Sequence, residues 1–152
     1  DARDTADGIV LTCRHDTGDQ IGIRCNESFE SLRPYWQADQ GVVTWRVRLD
    51  NVSETFLGVI DTDPRTQQPD GFHWRPARSG RFDGSAGRPT PALGGVPPCQ
   101  RCDIVRFTFD TTANTLRVAV NNADRGVILT DMHAMLAPCF VFHPGETLTL
   151  LY

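Results

Sequence analysis

Arg33, Tyr35 and Trp36 form the group in this chain best suited to gripping another molecule. Guanidinium and large aromatic groups dominate interface anchors, because they bury much area while keeping polar donors. Packing of Tyr35 and Trp36 onto the end of the domain is the competing use. Asp61, Asp63 and Asp70 crowd one loop. Their oxygens either shape turns or supply the ligands that a calcium ion takes. Phe142 and His143 end an apolar segment beside Pro144 and offer a third contact. His73 and Trp74, followed by Arg75 and Arg78, could make a carboxylate-binding patch. The alternative puts Trp74 in a core and leaves Arg75, Arg78 and Arg81 solvated.

Other chemistries find less support. Cys99-x-x-Cys102 could be half of a zinc site, with Cys13-x-His15 or Cys139-x3-His143 as the other half. Zinc needs four converging ligands, and these pairs sit on unrelated segments, so inert buried thiols and no metal are expected. Asp83-Gly84-Ser85-Ala86-Gly87 lacks the first glycine of a nucleophile elbow. The four glutamates, Glu27, Glu30, Glu54 and Glu146, stand singly in turns or loops, unlike a glycosidase pair. All fifteen basic residues are arginine. Without lysine the chain has neither the amine of Schiff-base catalysis nor the lysine of a Walker loop. No enzyme activity and no cofactor are expected.

The net charge of −4 argues against nucleic acid, whose binders cluster positive charge. No segment approaches the length of apolar chain that spans a bilayer, and no charged-then-apolar leader opens the sequence. A soluble cytoplasmic setting with reduced cysteines is expected, any targeting signal lying outside the chain. The length of 152 residues fits one domain, 1–152, able to bury a core without staples.

The scaffold that must hold these residues is legible in alternation. Val105, Phe107 and Phe109 alternate with polar residues, as do Leu116 and Val118, and later Leu148 and Leu150. A period of two over successive segments means antiparallel sheet with one buried face. Further strands are expected at Ile9–Cys13, Ile21–Cys25, Val42–Leu49, Phe56–Ile60, Val127–Leu129 and Pro138–Phe142, and aromatic residues return at Gly71–Trp74. Gly58 inside the apolar run 56–60 implies a strand covered on both faces or crossed closely by another backbone. Residues 75–98 read as loop with a short strand near Gly80–Asp83. Asn121–Gly126 reads as a six-residue turn, and Met132–Leu136 as a single helical turn. The fold class is all-β, a two-sheet antiparallel sandwich.

The order of these segments resembles the SPRY (B30.2-like) family. The resemblance is carried by Gly41-Val42-Val43-Thr44-Trp45-Arg46-Val47 followed by Phe56-Leu57-Gly58-Val59. The string Asp103-Ile104-Val105, Phe109-Asp110, Val118-Ala119-Val120-Asn121 and Gly126 extends it, with Leu136-Ala137-Pro138 and Leu150-Leu151-Tyr152 closing it. It runs over roughly residues 8–152, without a separate PRY-like motif. Such a resemblance implies a bent sandwich of the concanavalin-like jelly-roll type. It also implies a non-catalytic module that binds a peptide or loop of a partner protein through inter-strand loops. The parent protein would be larger, with this domain monomeric within it, as the recognition arm of a ubiquitin ligase or regulatory complex. The contact residues would be Arg33, Tyr35, Trp36, Asp61, Asp63, Asp70, Phe142 and His143. A carbohydrate-binding sandwich, with or without calcium at the aspartates, is the alternative, and a structural domain within an assembly a third.

Overall fold

The computed structural model describes residues 2–12, 21–24, 37–39, 41–61, 71–78, 82–132 and 136–151; at 21–24, 37–39, 61 and 142 it describes the backbone alone. Strands β1 (Ala2–Asp4), β2 (Gly8–Thr12), β3 (Ile21–Arg24), β4 (Gln37–Asp39) and β5 (Val42–Asn51) come first. They are followed by β6 (Phe56–Asp61), β7 (Gly71–Trp74), β8 (Phe82–Gly84) and β9 (Arg88–Pro89). One helical turn, α1 (Pro91–Gly94), precedes β10 (Ile104–Asp110), β11 (Thr115–Val120), β12 (Ala123–Thr130), β13 (Leu136–Phe142) and β14 (Thr147–Leu151).

Two antiparallel sheets result. The larger, nine-stranded, runs β1-β2-β14-β5-β10-β11-β12-β9, with β4 added beside β5. The smaller, five-stranded, runs β3-β13-β6-β7-β8. Alternation selects the faces that meet. Val43, Trp45, Val47, Val105, Phe107, Phe109, Leu116 and Val118 point inward from the large sheet, and Leu57, Val59, Phe72, Trp74 and Phe140 from the small one. Trp45 stacks on its cross-strand neighbour Phe107 at 5.3 Å, and Trp74 meets the same ring edge-on at 6.4 Å from the opposite sheet. Aromatic pairs of this geometry add about 0.5–1.5 kcal/mol beyond the area they bury. The two-sheet sandwich inferred from the alternation is thus the observed fold.

Connections differ from the sequence expectation in two places. The turn after β11 is only Asn121-Asn122, both in the left-handed region (φ 50° and 64°). That is the type I′ pattern of a two-residue hairpin, which asparagine tolerates. Residues 123–126, expected as turn, already pair with β11, and the length difference is absorbed by register shifts on either side of Arg117–Val118. A helical turn also appears where none was expected, while residues 133–135 of the turn expected at Met132–Leu136 lie outside the described residues. The observed turn falls at 91–94, where Pro91 opens it and Gly95 N–H bonds back to Ala92 O, within the segment expected as loop. Met132 is not helical and Leu136 opens a strand.

The family-like string of acids and amides is explained by the turns it closes. Asn121 donates to Asp103 Oδ1 at 2.8 Å and accepts from Ile104 N–H at 2.9 Å. The other Asp103 oxygen accepts from Gln100 N–H at 2.8 Å. Asp110 Oδ1 accepts the N–H groups of Thr112 and Ala113, each at 2.9 Å, which turns the chain from β10 into β11.

Among the glycines of the small sheet with described surroundings, Gly58 has the tightest requirement. A Cβ there would sit 1.6 Å from the Phe72 carbonyl oxygen on β7. The close backbone at this glycine is that of its paired neighbour strand β7 rather than of a crossing segment. Gly58→Ala is expected to cost more than about 3 kcal/mol, since backbone on both sides would have to shift. A denaturant midpoint within error of the parent would contradict this.

Candidate functional site

The strand pairings define two ends of the sandwich. At one, called here the tight end, the turns 52–55 and 143–146 carry the chain from one sheet to the other. Segment 13–20 also leaves from this end, because Thr12 pairs with Thr147 and Ile21 with Phe142. At the opposite end lie Arg24, Asp61, Gly71 and Leu136, and from there segments 25–36 and 62–70 depart.

Glu146 organises the tight end. Its carboxylate is buried, at 5 % exposure. One oxygen accepts from the Thr55 hydroxyl and from Ser53 N–H at 3.4 Å. The other accepts from His143 N–H at 3.1 Å and lies 3.1 Å from His143 Nδ1. Glu146 N–H donates to His143 O at 3.1 Å, and Asn51 donates to Gly145 O at 2.9 Å. A buried carboxylate is tolerable only when its lone pairs are filled in this way.

A second cluster abuts it on the outer face of the small sheet. Glu54 receives Arg75 Nη1 on one oxygen and Arg78 Nη2 on the other, both at 2.7 Å. Arg75 is buried and its guanidinium lies 4.4 Å over the Phe56 ring, while Arg78 is exposed. The solvated reading of Arg75 is thus corrected: a carboxylate and an aromatic face together offset its desolvation. Arg78 remains at the surface. Trp74, as expected, is core. His73 packs edge-on to Phe56 at 6.3 Å, and burial of its ring lowers its pKa below the ordinary 6.5, against a smaller opposing pull from Asp83.

Of the residues expected to bind, His143 is the one whose side chain is described, and its Nδ1 is engaged by Glu146. Phe142 ends β13 at the same end. Asp61 ends β6 at the opposite end, paired with Leu136. From Phe56 to Asp61 the strand advances about 17 Å, so Asp61 does not share a patch with Phe142 and His143. Arg33, Tyr35, Trp36, Asp63 and Asp70 lie outside the described residues. Glu54 and Glu146 were legible only as solitary acids. The hint lay in their placement in turns too short to leave a carboxylate idle.

No family model and no curated protein matches the sequence. Solved structures do match. The chain is similar to the SPRY domain of human HERC1, at 15 % identity and a TM-score of 0.56 over 93 % of each chain. It is similar also to the TRIM65 PSpry domain, at 20 % identity and a TM-score of 0.50, covering 86 % of this chain and 70 % of that one. The fold is SPRY-like.

Within this SPRY-like domain the described cysteines Cys99, Cys102 and Cys139 form no disulfide. Burial pushes the Cys99 thiol up to about 11, so it stays protonated and unreactive at neutral pH. No group of three or more potential metal ligands converges among the described residues. None of their helices is long and apolar enough to cross a membrane.

His73 makes the domain sensitive to acid. Below about pH 6.5 the unfolded chain binds a proton that the folded chain resists, so stability falls as pH drops and is regained as it rises. His73→Gln is expected to flatten that loss between pH 7 and 5 in denaturant titrations. An unchanged slope would contradict the assignment.

Proposed function

We propose that this SPRY-like domain is a non-catalytic interaction module that holds a peptide or loop of a partner protein at the end opposite the Glu146 turns. The observation that carries the reading is the shared departure of segments 25–36 and 62–70 from that end, next to Arg24, Asp61 and Gly71. These segments contain Arg33, Tyr35, Trp36, Asp63 and Asp70, the anchors and acids best suited to recognition. Aromatic rings would fill hollows of the partner, and arginine would read carboxylates or backbone carbonyls. Phe142 and His143 would make a separate contact at the tight end.

The non-catalytic reading is supported by how the acids of the scaffold are spent. Glu54 lies between two guanidinium groups and Glu146 is occupied by two turns. Among the described residues neither is paired with a second carboxylate, as hydrolysis of a glycoside requires. We assign the domain to a larger cytoplasmic protein, as the substrate-recognition arm of a ubiquitin ligase or another regulatory complex.

The test is a pull-down from cell lysate by the domain and by Arg33→Ala with Trp36→Ala, with and without EDTA. A protein partner lost in the double variant and indifferent to EDTA is expected. Retention on glycan resin alone, abolished by EDTA, would favour calcium-dependent carbohydrate binding and overturn the proposal.

A further inference from the structure

The chain carries fifteen arginines and no lysine. Base composition of the gene does not account for this. Asparagine and lysine codons share their first two bases, and five asparagines are present. Nor does the fold require a guanidinium at every position. Arg75 and Arg48 do use what only that group has. Arg75 is buried, with its guanidinium over Phe56 and one nitrogen on Glu54. Arg48 spreads its nitrogens over Asp50, Thr149 and Asp7.

Other arginines make contacts that an ammonium would make as well. Arg78 meets Glu54, Arg88 meets Asp131 and Arg117 meets Asp124, each through a single nitrogen, and all three are exposed. Arg3, Arg46, Arg101 and Arg125 are exposed too. These positions lie on β1, β5, β9, β11 and β12 and in the segments before β8 and β10, so they are spread over the whole domain. A lysine at any of them would put a primary amine at the surface.

We propose that the domain is kept free of ubiquitin acceptors, so that a ligase holding it passes ubiquitin to the bound partner protein and spares the domain. The proposal rests on the reading of the domain as the recognition arm of such a ligase. In the transfer, a lysine amine attacks the thioester that joins the ubiquitin C-terminus to a cysteine of the carrier enzyme. The C–N bond of an amide forms, the C–S bond breaks, and the cysteine leaves as a thiol with a proton from the amine. Arginine cannot take the amine's part, because its guanidinium stays protonated up to about pH 12. The exposed Cys102 would form only another thioester, which exchanges back. A recognition domain stands near the transfer centre for as long as its substrate does, so an amine on its surface would compete for ubiquitin.

The test joins the chain through a lysine-free linker to a RING domain and supplies ubiquitin, its activating enzyme and a carrier enzyme. Ubiquitin remnants on peptides from residues 1–152 are scored by mass spectrometry. The parent chain is expected to carry none on its side chains, while Arg88→Lys and Arg117→Lys, made singly, each gain ubiquitin at the new amine. Both variants should melt within error of the parent, since each keeps a cation opposite its aspartate. Modification of parent side chains at the level of the variants would overturn the proposal. So would no modification of either introduced lysine, or a lowered melting temperature in both, which would mean that the structure itself demands arginine there. The RING domain is supplied, so failure of the ligase reading in the pull-down would leave this result unchanged.

Discussion

The carboxylate of Glu146 is the interaction on which the geometry of the rest depends. A two-sheet sandwich is held face to face by apolar contacts, which are non-directional and leave the sheets free to slide. Directional bonds must fix their relative position. Glu146 supplies them where the chain passes between sheets, gathering donors from 53–55 on one turn and from His143 on the other. With those turns set, β5 leads into β6 and β13 into β14 across the two sheets, and Trp74 comes onto Phe107 at the middle of the core. Glu54, in the same turn, adds Arg75 and Arg78, so the next strand exit is drawn in as well.

That arrangement divides labour along the length of the domain. At the tight end the carboxylates of Glu54 and Glu146 are engaged by partners and serve the scaffold. Recognition is the role proposed for the segments that leave the opposite end, which carry Arg33, Tyr35 and Trp36.

Much of the architecture was legible in the sequence, because strand alternation is a local signal and both faces of these strands obey it. Gly58 announced a close backbone approach, and Trp45 and Trp74 announced the core. What the sequence concealed was set by contacts distant along the chain. Glu146 and Thr55 lie far apart in order, and Arg75 gave no hint that Glu54 and Phe56 would enclose it. The hairpin at Asn121-Asn122 was hidden for a different reason: two left-handed asparagines form a tight turn without glycine, and the bulges that follow imitate loop. The expected contact set spanned both ends because loop membership says nothing about which end a loop leaves.

Native-state hydrogen exchange of the His143 amide, whose N–H donates to Glu146, tests the central claim most directly. If Glu146 locks the two sheets, this amide opens only with global unfolding, and its protection free energy equals that of Phe107 in the core. Exchange through a local opening, with the core amides still fully protected, would contradict the account.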